Sequence, residues 1–287
     1  MFSCTAEWLA AVCSYILRAE RQIDKMSEVI VVTSGKGGVG KTTTTANIGA
    51  ALSREGKKVI LVDTDIGLRN LDLVMGLENR VVFNLVDVIE GNCKLKSAVV
   101  RDKRFENLYL LPAAQTKDKD AVNEEQMKKL CGELRKDFDY VILDCPAGIE
   151  QGFKNAVAGA DRAIVVTTPE VSAVRDADKI IGMLNAYGVT DYKLLVNRVR
   201  IDMVKRGDMI GLEDIIDILG ISLIGVVPDD EAIIISANKG EPAVLNDKTK
   251  PATAYKNVAK RIMGMDVPLM ELEKGGLKDI LRKILGK

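Results

Sequence analysis

Gly35-Lys36-Gly37-Gly38-Val39-Gly40-Lys41-Thr42 fits the pattern G-x-x-x-x-G-K-[ST], which wraps backbone around a run of phosphates. Its glycines let N–H groups turn inward toward phosphate oxygens, and a helix that opens at the end of the loop adds its positive end. Lys41 would neutralise charge at the β- and γ-phosphates, and the Thr42 hydroxyl would reach Mg2+, with Thr43 beside it in the nucleotide-binding set. Two other stretches bring carboxylates to the ends of apolar runs. Asp63-Thr64-Asp65 follows Lys58–Val62, and Asp144-Cys145-Pro146-Ala147-Gly148 follows Tyr140–Leu143. The carboxyl edge of a parallel sheet is where α/β proteins hold ligands. Phosphoryl transfer asks little of a protein beyond a positioned water and neutralised charge, so acids at these tips suit it. The second stretch looks like a Walker B and switch II region, with Asp144 reaching Mg2+ directly or through water.

These groups need strands to carry them. Val29–Thr33, Lys58–Val62, Leu108–Leu111, Tyr140–Leu143, Ala163–Thr167, Lys193–Val196 and Leu223–Val227 are short, apolar and rich in β-branched residues. Between them, segments such as Thr42–Arg54, Glu124–Lys136, Ala173–Ala186 and Gly211–Leu219 have helical periodicity. This alternation predicts an α/β fold: a P-loop NTPase with a mostly parallel sheet and helices on both faces.

Composition narrows the chemistry. The chain has 287 residues, 47% apolar and 29% charged, as in one globular domain with short appendages. Its 41 basic and 41 acidic residues leave no net field to hold it on nucleic acid or an anionic membrane, so such binding must come from a local patch. With no histidine and five cysteines (Cys4, Cys13, Cys93, Cys131, Cys145) that form no C-x-x-C pair, zinc and histidine-based catalysis are disfavoured. No apolar run reaches the ~20 residues of a transmembrane helix.

The two ends differ from the rest. Trp8, Leu9, Val12, Cys13, Ile16 and Leu17 fall at helical spacing in residues 1–25, which lack the basic start and cleavage site of a signal peptide. That stretch reads as a non-native or mis-assigned upstream start before Met26, or alternatively as an unintegrated N-terminal helix. Past Gly275 and Gly276, Leu277, Ile280, Leu281, Ile284 and Leu285 line one helical stripe, with Lys278, Arg282, Lys283 and Lys287 on the other face against Asp279 alone. This is the pattern of a helix lying in an anionic membrane interface. Full burial of the five apolar side chains would give at most ~7–15 kcal/mol, and ordering ~12 residues costs on the order of 1–2 kcal/mol each. One such helix is marginal, whereas two tethered helices gain avidity.

The second lysine, Lys36, distinguishes this loop from an ordinary P-loop. Lys36-Gly37-Gly38-Val39-Gly40-Lys41-Thr42 resembles the deviant Walker A family of ParA/MinD ATPases. The resemblance implies an ATP-sandwich homodimer in which Lys36 reaches the phosphates held by the other subunit. It implies that Lys36, Lys41 and Asp65 form the catalytic set, Asp65 positioning the attacking water. It further implies a Mg2+ shell of Thr42, Asp63 and Asp144, and an adenine pocket from Asn197, Arg198 and Pro228. Asp65-Ile66-Gly67-Leu68-Arg69-Asn70-Leu71-Asp72-Leu73 is similar to switch I of the branch that places the division septum, whereas ParA proteins typically continue with Pro-Gln. The likeness runs from Met26 to the C-terminus. It divides the chain into an extension (1–25), an ATPase domain (26–268) and a linker with its membrane-targeting helix (269–287).

The same resemblance implies a cytoplasmic ATPase, reversibly peripheral on the inner face of the cell membrane, that recruits a MinC-like division inhibitor to anionic phospholipid. MinE or another topological regulator would stimulate it, and Arg175, Asp176 and Asp178 are candidates for a partner surface. A DNA-partition ATPase or a flagellar-number regulator is the alternative.

Overall fold

The computed structural model describes residues 27–270. The extension 1–25 and the membrane residues Leu277, Lys278, Ile280, Leu281, Arg282, Lys283, Ile284 and Leu285 lie outside the described residues.

β1 (Glu28–Thr33) runs into the glycine loop and then α1 (Lys41–Arg54), followed by β2 (Val59–Asp63) and a short α2 (Leu71–Val74). α3 (Leu85–Ile89) and α4 (Leu95–Ala98) lead to an edge strand β3 (Val100–Arg101) and β4 (Leu108–Leu111). α5 (Glu124–Leu134), β5 (Tyr140–Asp144), α6 (Gln151–Ala158), β6 (Arg162–Thr167), α7 (Val171–Ala186) and β7 (Asp191–Val199) continue the alternation. The described chain closes with α8 (Ile201–Arg206), α9 (Leu212–Leu219), β8 (Leu223–Pro228), α10 (Glu231–Asn238) and α11 (Lys250–Ile262). The strands form one sheet in the order β3-β4-β2-β5-β1-β6-β7-β8. Every neighbouring pair is parallel except β3–β4.

Period-two burial shows why the central strands are apolar throughout. Val29 and Val31 of β1 join the core beneath α5, α6 and α7, while Ile30 and Val32 join the core shared with α1 and α11. α11 is pinned on α1 by Tyr255, fully buried, whose hydroxyl lies 3.3 Å from that of Thr44.

The structure differs from the sequence expectations at element ends. β7 spans Asp191–Val199 rather than Lys193–Val196: its pairing with β6 already begins at Asp191, and past a register irregularity between Val196 and Val199 its pairing with β8 resumes at Val199. α7 opens at Val171, two residues before the predicted start. α5 stops at Leu134, where Arg135 is its C-cap. The two-residue β3 was not anticipated.

Candidate functional site

β1 and β5 are neighbours in the middle of the sheet, and the chain leaves them in opposite directions, to β2 on one side and β6 on the other. Such a switch point opens a crevice at the carboxyl edge, and the glycine loop lies there. Gly38 and Gly40 take left-handed backbone, φ +79° and +98°, which glycine adopts without penalty. Gly40 is the N-cap of α1, so the first N–H groups of that helix face the loop. Within the loop the Ser34 hydroxyl donates to the Lys36 carbonyl at 2.8 Å and receives the Lys41 ammonium at 3.0 Å. Lys41 is buried, an ammonium held ready for an anion.

Lys36 points away from that cradle. Its ammonium lies 2.9 Å from Glu170 Oε2 and 3.0 Å from Ser172 Oγ, on a surface where its side chain is 40% exposed. The loop is also fitted against α7: a Cβ built on Gly35 would fall 2.3 Å from the Asp176 carbonyl oxygen. Asp176 therefore departs from the exposed patch predicted with Arg175 and Asp178. Those two are exposed, while Asp176 is half-buried, backed onto the loop and ion-paired with Lys179 at 3.1 Å.

Asp63 and Asp144 are the last residues of β2 and β5 and sit opposite each other in register. Asp144 accepts the Thr45 hydroxyl at 3.2 Å and faces Thr42 and Lys41. Asp63 is engaged differently: its two oxygens accept N–H from Asp65 at 2.9 Å, and from Asn70 and Leu71 at 3.1 Å each. Three of its roughly four acceptor directions thus hold the loop that carries Asp65, a task the sequence did not reveal. Asp65 is half-buried beside them. Two adjacent carboxylates and a threonine hydroxyl, all hard oxygen donors, form a set that fits Mg2+.

Burial lifts the Asp63 carboxyl to about 6 despite its backbone hydrogen bonds. Burial, and then the charge of Asp63, lifts Asp144 to about 7. Burial likewise pushes the thiols of Cys131 and Cys145 up to about 12, which keeps them protonated packing groups.

At the tip of β7, Asn197 is buried and donates from Nδ2 to the Val39 carbonyl at 2.8 Å, tying that strand to the loop. Arg198 follows, exposed and in left-handed backbone at φ +55°, a conformation that costs a non-glycine residue ~1–2 kcal/mol. Pro228 pairs with Val199 on the neighbouring strand.

Comparison with known proteins places this geometry in a family. Residues 27–190 match the model of an AAA domain. The septum site-determining protein MinD of Bacillus subtilis is 58% identical over 261 residues, covering 90% of this chain and 97% of that protein. The chain belongs to the MinD family of septum site-determining proteins. Two solved structures of the family have the same fold. A MinC:MinD cell division protein complex from Aquifex aeolicus aligns with TM-score 0.81 and 48% identity over 85% of this chain and 99% of that one. MinD from Pyrococcus horikoshii, complexed with Mg-ADP, aligns with TM-score 0.75 and 33% identity over 83% and 96%.

Within this MinD-family site, Ser34, Thr45, Glu170 and Ser172 were missed by sequence reading. Ser and Thr beside a P-loop carry no distinguishing pattern, and Glu170 and Ser172 reach Lys36 only through the fold.

The carboxylate pair sets a pH response for the metal-free protein. Both folded values, about 6 and about 7, exceed the ordinary 3.8, so between about pH 4 and 7 the folded chain holds protons that the unfolded chain has released. Stability must then fall as pH rises through that window. In EDTA the Tm is expected to be higher at the acidic end than above it, and Asp144→Asn should flatten the slope. A wild-type Tm that rises steadily across the window would refute this account.

Proposed function

We propose that this chain is a Mg2+-dependent ATPase that dimerises on ATP, holds the membrane while dimeric and releases it after hydrolysis. The observation that carries the reading is Lys36. It stands at the rim of its own loop, exposed and away from the buried Lys41, where a second chain's phosphates could meet it.

In this reading the P-loop amides and Lys41 bind the β- and γ-phosphates, while Asn197, Arg198 and Pro228 flank the base. Asp65 orients the water that attacks the γ-phosphorus, and ADP leaves as the β–γ bridging bond breaks. Mg2+, held by Thr42 and Asp144 with Asp63 nearby, would supply charge neutralisation across the phosphates. The Mg-ADP in the Pyrococcus horikoshii relative supports both nucleotide and metal.

Dimerisation would bring two copies of the Leu277–Leu285 stripe to one surface, raising membrane affinity by avidity. The protein would thus shuttle between cytoplasm and the inner face of the cell membrane. The Aquifex aeolicus MinC:MinD complex supports a MinC-like division inhibitor as the recruited partner, with Arg175 and Asp178 on the exposed face of α7 as contacts. MinE or another topological regulator would stimulate hydrolysis. Relatives of this identity favour septum placement over DNA partition or flagellar control.

The test is co-sedimentation with anionic liposomes, in ATP or ADP, of residues 26–287 and of a version ending at Gly275. ATP-dependent pelleting that truncation removes is the expected result. Equal pelleting in ADP, or none, overturns the nucleotide-gated membrane cycle.

A further inference from the structure

α2 and α10 end in the same way, and they end against each other. Each closes on a left-handed glycine, Gly76 at φ +60° and Gly240 at φ +64°. The N–H groups of Leu77 and Glu241 return to the carbonyls of Asp72 at 2.8 Å and Ser236 at 2.9 Å, which seals each helix end. The two turns then touch backbone to backbone. A Cβ on Gly76 would fall 2.6 Å from the Gly240 carbonyl oxygen, and one on Gly240 would fall 2.6 Å from Gly76 Cα, so neither position has room for a side chain.

Arg104 staples this junction. Its guanidinium donates to the Gly240 carbonyl at 2.7 Å and to the Met75 carbonyl, so one group holds the last turn of both helices. Asp102, 1% exposed, aims it: the two carboxylate oxygens accept Arg104 Nε at 3.1 Å, Nη2 at 2.6 Å and the Arg104 backbone N–H at 2.7 Å. A planar fork with donors in fixed directions makes these bonds together, which a lysine ammonium cannot do.

The two helices lead to different parts of the site. α10 leaves the turn 228–230, where the Asp230 side chain caps it by accepting the Ala232 N–H at 2.9 Å. None of its residues is buried, so its placement depends on its two ends. α2 begins at Leu71, whose N–H joins that of Asn70 on Asp63. The turn before it returns the Arg69 N–H to the Asp65 carbonyl at 3.1 Å. A displacement of α10 therefore reaches α2 through the Gly76–Gly240 contact, and α2 carries the segment that positions Asp65.

We propose that Arg104 is a positioning residue for hydrolysis, which couples the base side of the nucleotide to Asp65 by locking α10 to α2. The proposal rests on the reading above that places the base beside Pro228 and the attacking water on Asp65. It adds a residue outside the phosphate cradle through which occupancy of one is felt by the other.

Hydrogen exchange of the full chain, with and without Mg-ADP, in wild type and in Arg104→Lys reads this coupling. In wild type, Mg-ADP should slow exchange in the glycine loop, 35–42, and by about fivefold or more in 70–77, the lower end of ordinary coupling between sites. Arg104→Lys should keep the first effect and lose the second. It should bind a fluorescent ADP like wild type and lose roughly tenfold or more in kcat at unchanged KM, as a misplaced reacting group does. A residue that only stabilised α2 would, when replaced, speed exchange there with and without nucleotide and leave the ADP-induced factor intact; that result overturns the proposal. Asp102→Asn/Arg104→Met, which removes both charges of the buried pair together, gives the same readout should Arg104→Lys disturb folding. Protection of 35–42 without protection of 70–77 in wild type would show that no coupling exists. If Mg-ADP protects neither segment, the nucleotide reading fails and this inference with it.

Discussion

Lys36→Ala is expected to abolish ATP-driven pairing of two chains and to cut hydrolysis by about three orders of magnitude, while one chain still binds nucleotide within a few fold of wild type. The magnitude follows from what a cation supplied across an interface contributes to phosphoryl transfer, about 10³–10⁵. The separation of effects follows from geometry. Lys41 is buried beside Ser34 within its own loop, whereas the Lys36 ammonium is bonded to Glu170 and Ser172 at the rim. Removing it leaves the backbone cradle intact. Sedimentation with a non-hydrolysable ATP analogue, turnover assays and fluorescent-nucleotide titration read the three quantities separately. A Lys36→Ala protein that dimerises normally would sink the idea that this lysine acts across the interface.

Gly40→Ala should be nearly as severe through a different cause. The residue sits at φ +98°, where a side chain is strained whatever the space, and its Cβ would fall 2.3 Å from Asn197 Nδ2. Asn197 cannot yield freely because the same nitrogen donates to the Val39 carbonyl. Relief therefore requires the loop to shift and α1 to lose its entry geometry. A stability loss of ~2–4 kcal/mol and a fall in nucleotide affinity of about 100-fold or more are expected. Gly40→Ala/Asn197→Ala should recover part of the stability by removing the collision while retaining the backbone strain. Denaturant unfolding of the two single variants and the double one gives the coupling directly. Full additivity would show that Asn197 is not what Gly40 makes room for.

Local patterns carried the fold. Burial on both faces makes β1, β2 and β5 apolar throughout, so their positions and the acids at their tips were readable before any tertiary contact was known. β3 was not, because two residues on a sheet edge impose no periodicity. The glycine loop was legible since its spacing is itself the chemistry. What each acid does was not, because Asp63 earns its loop-holding task from Asn70 and Leu71, whose N–H groups any residue would offer. Likewise nothing in Asn197 as a residue type announces that Gly40 lies against it. These facts belong to the approach of distant segments, which single-sequence patterns do not encode.

The place of β1 in the sheet has a consequence for how the chain is made. β1 is among the first described residues, yet its two partners are β5 and β6, with Val29 registering against Val141 and Val31 against Ala163. A chain emerging from the ribosome must therefore carry its glycine loop unsupported until Asp144 and then Thr167 have appeared. Non-local parallel pairing of this kind folds slowly and leaves apolar strands exposed in the interim. Nucleotide recognition is thus deferred until the chain has been translated through β6, and the nascent Val29–Thr33 segment is the stretch that chaperones would have most reason to shield.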